Sequence, residues 1–197
     1  ILYPDITYSF YPVWCELLKI PYKTKRVDDD FVINIEDFKE PNGGVVIPNP
    51  NAPTSLGVGQ KFIRELLENN QDSIVIIDEA YGDFGRYSCV ELVKEYDNLV
   101  VTQTFSKSRS LAGMRVGMAF ASAELISYMQ AVKDSYNSYP LDQIAIETSV
   151  ASLSDEDYFK ATVEKVKATR DRTAEKMREM GFNVLDSETN FLFAQHE

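Results

Sequence analysis

The stretch from Thr104 to Gly117, T-F-S-K-S-R-S-L-A-G-M-R-V-G, surrounds Lys107 with hydroxyls (Thr104, Ser106, Ser108, Ser110), guanidiniums (Arg109, Arg115) and glycines (Gly113, Gly117). A lysine in such company is a candidate amine nucleophile. Hydroxyls and an arginine on a tight backbone also suit a phosphate, whose oxygens take several short, charge-assisted donors at once. An amine beside a phosphate pocket points to Schiff-base chemistry with a phosphorylated aldehyde. On local composition alone the loop also fits a solvated turn, so the elements around it decide.

Those elements alternate. Ile1 to Tyr3 reads as a strand, and a helix beginning near Ser9 carries Val13, Trp14, Leu17 and Leu18 on one face. Tyr22 to Val27 alternates like a strand, Asp28 to Asp30 is a turn, and Ile35 to Phe38 is a short helical piece before the break at Pro41 to Gly44. Val45 to Ile47 is a buried strand, and Pro48, Pro50 and Pro53 exclude helix and central strand from the loop after it. A helix over 58–69 follows, then Ile74 to Ile77, an apolar run typical of a strand buried on both faces. Val90 to Tyr96 reads as helix and Leu99 to Thr102 as strand; Lys107 lies between that strand and the next, Val116 to Ala121. The pattern predicts an α/β fold, a mostly parallel sheet with helices on both faces. In such sheets ligands bind at the carboxyl ends of the strands. Tyr8, the Asn51 loop, Asp78 to Tyr81 and Ser106-Lys107 all fall at such ends.

Beyond Ala121 the chain turns helical, over 124–133, 141–153 and a long amphipathic helix from Asp155 to Met180, capped at Ser154 to Glu156 and ended by Gly181. Phe182 to Leu185 and Asn190 to Ala194 read as two strands of a new unit. We expect a large domain over 1–150, and over 151–197 a linking helix with the start of a smaller α+β domain.

The 197 residues suffice for a substantial core, and 44% hydrophobic with 26% charged residues is ordinary for a globular protein. A net charge of −11 without a basic stripe argues against a nucleic-acid surface. No run approaches the roughly 18 to 20 apolar residues of a membrane span, and no signal peptide is visible, so a cytoplasmic protein is expected. Cys15 and Cys89 read as reduced structural thiols, and the single histidine, His196, leaves little scope for Ser-His-Asp chemistry or a metal site. Ile1 opens the chain inside an apolar run, which reads as a strand already under way and a piece of a longer protein.

The segment S-K with A-G-x-R-x-G resembles the cofactor-lysine segment of class I/II aminotransferases that use pyridoxal 5'-phosphate, and the full wording is most similar to histidinol-phosphate aminotransferases. The resemblance implies a fold-type I large domain. It carries over Lys107 as the cofactor lysine, Asp78 of D-E-A-Y as partner of the ring nitrogen and Tyr81 as donor to the ring hydroxyl. Lys107, Asp78 and Tyr81 are thus the candidate catalytic residues. Thr104, Ser106 and Arg115 match phosphate-binding positions; Arg109 has no match and reads as a surface charge. Tyr8 in I-T-Y-S-F-Y resembles the segment whose aromatic ring stacks on the cofactor. The common N-P-T-G form places an asparagine on the ring oxygen, whereas here Ala52-Pro53-Thr54-Ser55 stands there and Asn51 comes one position early.

The implied reaction is amino transfer between L-histidinol phosphate and 2-oxoglutarate by a homodimer of the complete protein. Two family parts are expected outside these residues: the amino-terminal segment that also cradles the phosphate and a carboxy-terminal arginine that clamps the substrate's acidic group. Other aminotransferases of this class, threonine-phosphate decarboxylases, and cofactor-sensing domains of transcription regulators share the same cofactor edge, and a structural fragment without ligand also stays open.

Overall fold

The computed structural model describes residues 1–196. In chain order its elements are β1 (Leu2–Pro4), α1 (Phe10–Leu17), β2 (Lys23–Lys25), β3 (Gly44–Pro48), α2 (Gln60–Asn69), β4 (Ile74–Asp78), β5 (Leu99–Thr104), β6 (Gly117–Ala121), α3 (Ala123–Tyr136), α4 (Gln143–Ser154), α5 (Glu156–Glu179), β7 (Asn183–Val184) and β8 (Ala194–Gln195). Six strands form one sheet in the order β2-β1-β3-β4-β5-β6, parallel except for β6, and β7 and β8 form a separate antiparallel pair. The architecture is therefore α/β with a mostly parallel sheet flanked by helices.

Strand alternation assigns the two faces. Val45 and Ile47 of β3, Val75 and Ile77 of β4, and Leu99 and Val101 of β5 pack with Ile63, Leu66 and Leu67 of α2. Each side chain so buried contributes about 1.5–3 kcal/mol relative to exposure. Val46 points to the opposite face, where Tyr3 of β1 packs on Tyr11 and Cys15 of α1. After β1 the strand order runs outward to β2; from β3 it runs the other way. The reversal opens a crevice between β1 and β3 at their carboxyl ends, where such sheets take ligands.

Several elements differ from the sequence expectation. On α1 it is Tyr11 and Cys15, spaced i and i+4, that meet the sheet, while Val13 and Trp14 are each 47% exposed, Leu17 75% and Leu18 65%. The helix is apolar on more than one side, and spacing alone does not say which side faces inward. Ile74 is exposed at the start of β4, so that strand is not buried on both faces along its length. Residues Val90–Lys94 form a 3₁₀ helix, and the second strand shrinks to β2. In the last unit, Ser187 Oγ donates to the Phe191 carbonyl at 2.6 Å and accepts from Thr189 N–H at 3.1 Å. These local bonds divert the backbone into turns and delay β8 to Ala194.

The long helix behaves as expected at both ends. Asp155 caps α5 by accepting from Tyr158 N–H at 3.2 Å. At the other end Phe182 N–H reaches Met177 O at 3.1 Å and Gly181 N–H reaches Arg178 O at 3.0 Å, with Gly181 at φ +92°. This left-handed Schellman stop suits glycine. Among the described residues no helix is long and apolar enough to cross a membrane.

Candidate active site

A cavity of about 370 Å³ opens at the carboxyl edge of the sheet, within the range of about 300–1,000 Å³ usual for small-molecule sites. Tyr8, Asp78, Tyr81, Thr104, Ser106, Lys107 and Arg115 all line it, brought there by the loops after β1, β4 and β5. Tyr11, Trp14, Pro48, Pro50 and Ala52 line it too.

At one end stands Asp78, the last residue of β4. Tyr11 donates its hydroxyl to Asp78 Oδ2 at 2.8 Å, while Ala80 N–H and Thr102 Oγ1 lie 3.1 and 3.4 Å from Oδ1. A carboxylate can accept about four such bonds, so room for one more donor remains. Burial, reinforced by the adjoining Asp78 carboxylate, pushes the Tyr11 phenol well above its ordinary range and keeps it a donor. Tyr11 escaped the sequence reading, although its spacing in Tyr8-x-x-Tyr11 puts both rings at the entry to α1. Tyr8 is half-exposed and packs edge-on against Tyr11, with centroids 5.6 Å apart.

At the other end the donors come from the β5–β6 connection. Ser106 N–H donates to Thr104 Oγ1 at 3.1 Å, and the two hydroxyl oxygens lie 2.9 Å apart. Arg115 sits at φ +56°, a left-handed position rarely taken by a side-chain-bearing residue, and bonds Ala112 O at 2.8 Å. Lys107 is exposed to the cavity, its Nζ 5.1 Å from the centroid of the Tyr81 ring. Tyr81 in turn packs edge-on against Phe191 at 5.1 Å.

Two residues are placed otherwise than the sequence suggested. Asn51 is 1% exposed and does not line the cavity. Its amide donates to Ile6 O at 2.9 Å and Thr54 Oγ1 at 3.0 Å and accepts from Thr7 Oγ1 at 3.1 Å. It ties the loop after β3 to the loop after β1, and Ala52 takes the cavity-facing place. Arg109, read as a surface charge, is half-buried: its guanidinium lies 3.9 Å from the Phe159 ring centroid and donates to Ser152 O at 2.8 Å. It docks the Lys107 loop onto α4 and α5.

A wider hollow of about 630 Å³ lies between α5 and the Phe84 to Arg86 turn, away from this chemistry. Its guanidiniums are already engaged, Arg86 with Glu188, Arg170 with Asp171 and Arg178 with Asp186. The smaller cavity combines a hydrogen-bonded carboxylate at one end, an amine, and hydroxyls with a guanidinium at the other. That set can hold a phosphorylated, protonated aromatic ring bearing an electrophilic carbon.

The chain is 53% identical to a histidinol-phosphate aminotransferase of Lactococcus lactis subsp. cremoris (strain SK11) over 196 residues, all of this chain and 55% of that protein. It thus spans about half the length of the curated relatives it matches. The crystal structure of the histidinol-phosphate aminotransferase from Clostridium acetobutylicum superposes with a TM-score of 0.92 at 22% identity, covering 100% of this chain and 61% of that one. That from Sinorhizobium meliloti, in complex with pyridoxal-5'-phosphate, gives 0.88 at 22%, covering 98% and 54%. The profile of the family Aminotransferase class I and II matches residues 1–196, and the chain belongs to that family.

Proposed function

We propose that these residues form the cofactor-binding part of a pyridoxal-phosphate-dependent aminotransferase that moves an amino group between L-histidinol phosphate and 2-oxoglutarate. The observation that carries this reading is the convergence of Lys107, Asp78 and the Thr104, Ser106 and Arg115 donors on one cavity. Identity of 53% with a histidinol-phosphate aminotransferase supports the amino donor.

The cofactor, when bound, supplies an electron sink for bond changes at the amino-bearing carbon. These residues supply part of what orients it. Lys107 would hold the cofactor through its amine, and as a free amine would move a proton at the substrate carbon. Asp78, fixed by Tyr11, Ala80 and Thr102, keeps the ring nitrogen protonated. Tyr81 donates to the ring hydroxyl, the Tyr8 ring covers one face, and Thr104, Ser106 and Arg115 bind the phosphate oxygens.

We place the activity in a cytoplasmic polypeptide of the relatives' length, with residues 1–150 as its large domain and 151–197 opening its small one. A homodimer is supported by apolar side chains left outward on α1 and its C-cap (Trp14, Leu17, Leu18) and on α3 and α4 (Val132, Tyr136, Ile144). The test is to assay the 197-residue chain and the full-length polypeptide side by side with histidinol phosphate and 2-oxoglutarate. The full-length polypeptide is expected to turn over and the shorter chain to show little or no activity, because positioning both ends of a substrate is worth several kcal/mol. A full-length polypeptide inert toward histidinol phosphate contradicts the substrate, and equal turnover contradicts the division of parts.

A further inference from the structure

Lys107 has an exposed side chain on a backbone that is fastened on both sides. Before it, Ser106 N–H donates to Thr104 Oγ1 at 3.1 Å; two residues after it, Arg109 bonds Ser152 O at 2.8 Å. The residue between, Ser108, is 6% exposed, and its hydroxyl donates to Asp83 Oδ2. Asp83 belongs to the 3₁₀ turn Gly82–Phe84, which follows Tyr81 directly. One hydrogen bond therefore joins the loop of Lys107 to the turn of Tyr81, the two groups whose mutual placement the chemistry needs.

The turn is itself anchored. Glu79, 2% exposed, accepts from Ser88 Oγ at 2.7 Å, from Gln103 Nε2 at 2.9 Å and from Cys89 N–H. Gly82 N–H returns to Glu79 O at 2.9 Å, and a Cβ at Gly82 would come 2.9 Å from the Glu79 Cβ. Phe84, 4% exposed, plugs the other side of the turn. Asp83 is thus presented from a seated turn, while its carboxylate reaches across to the one buried hydroxyl beside Lys107.

We propose that Asp83 and Ser108 are a positioning pair for Lys107, holding its backbone so that the amine projects across the Tyr81 ring into the cavity. The proposal rests on the reading of Lys107 as the cofactor lysine. The pair touches neither substrate nor cofactor, and it acts through where it holds the lysine.

The test uses the full-length polypeptide, pyridoxal phosphate as probe, borohydride trapping and peptide mapping across a cofactor titration, with thermal unfolding measured alongside. Ser108→Ala and Asp83→Ala are each expected to weaken Lys107 labelling about three- to tenfold in apparent affinity, less than the full worth of a hydrogen bond to a carboxylate because the pair acts on the lysine only through its backbone. The double variant should be no worse than either single, since both remove the same bond. Asp83→Asn, which keeps an acceptor oxygen in the same place, should recover most of the labelling and keeps the test open if the alanine variants fold poorly. Additive losses, or labelling unchanged while only unfolding temperature falls, overturns the proposal. Wild-type protein that labels elsewhere than Lys107 overturns the functional reading and this pair with it, whereas normal wild-type labelling with indifferent variants overturns the pair alone.

Discussion

At the Asp78 end of the cavity the carboxylate arrives already engaged by residues distant in sequence, whereas at the Thr104 to Arg115 end the donors engage one another or the backbone of their own connection. Asp78 is gripped by Tyr11, Ala80 and Thr102, from three different parts of the chain. Thr104 and Ser106 bond each other, Thr104 Oγ1 also reaches the Val116 carbonyl at 3.3 Å, and Arg115 bonds a neighbouring carbonyl in its own turn. The first arrangement is preorganised and does not reorganise when a ligand enters, which is the condition for stabilising charge during reaction. Under the proposed function the second would exchange internal bonds for bonds to a phosphate, so its contribution would go into binding. The proposal therefore assigns rate to one end and affinity to the other.

The largest test of this division is Asp78→Ala in the full-length polypeptide. Losing one preorganised electrostatic partner is expected to lower turnover on the order of a hundred- to a thousandfold, with cofactor affinity changed far less. Near-normal turnover breaks the comparison at its stronger end. Arg115→Ala should do the reverse: cofactor affinity, read by spectral titration, falls about ten- to a hundredfold, the worth of hydrogen bonds to a charged group, while saturated turnover stays within a few-fold. A turnover loss as large as that of Asp78→Ala would erase the distinction. The smallest effect is expected for Tyr11→Phe, which keeps the ring and removes one donor to Asp78. Steady-state turnover should fall about three- to tenfold, and no change would show that Ala80 and Thr102 suffice.

How much of this was legible in the sequence follows the same line. Asp78 stands out because it closes a short apolar strand, and Lys107 because hydroxyls and guanidiniums surround it in the connection after another; parallel topology then carries both to one edge. The mostly parallel sheet follows from the alternation of elements, whereas its strand order and the β1/β3 reversal rest on pairings between strands distant in sequence that no local pattern sets. Asn51 comes to the cofactor edge only through the family's N-P-T-G pattern, one position out of step, and in the folded loop its amide is taken up by Ile6, Thr7 and Thr54. Val13, Trp14, Leu17 and Leu18 form an apolar face by periodicity, but periodicity counts apolar residues without knowing which side has a neighbour, and it is Tyr11 and Cys15 that meet the sheet. Tyr11 and the bond between Ser108 and Asp83 join residues 67 and 25 positions apart, and no local pattern announces such contacts.

The central claim is that Lys107 is the amine that holds the cofactor, and the most direct measurement is chemical. The full-length polypeptide is mixed with pyridoxal phosphate and reduced with borohydride, and the labelled peptide is mapped. One dominant label is expected, on Lys107 in the peptide T-F-S-K-S-R, with the other lysines of the chain essentially unlabelled. A main product on any other lysine contradicts it.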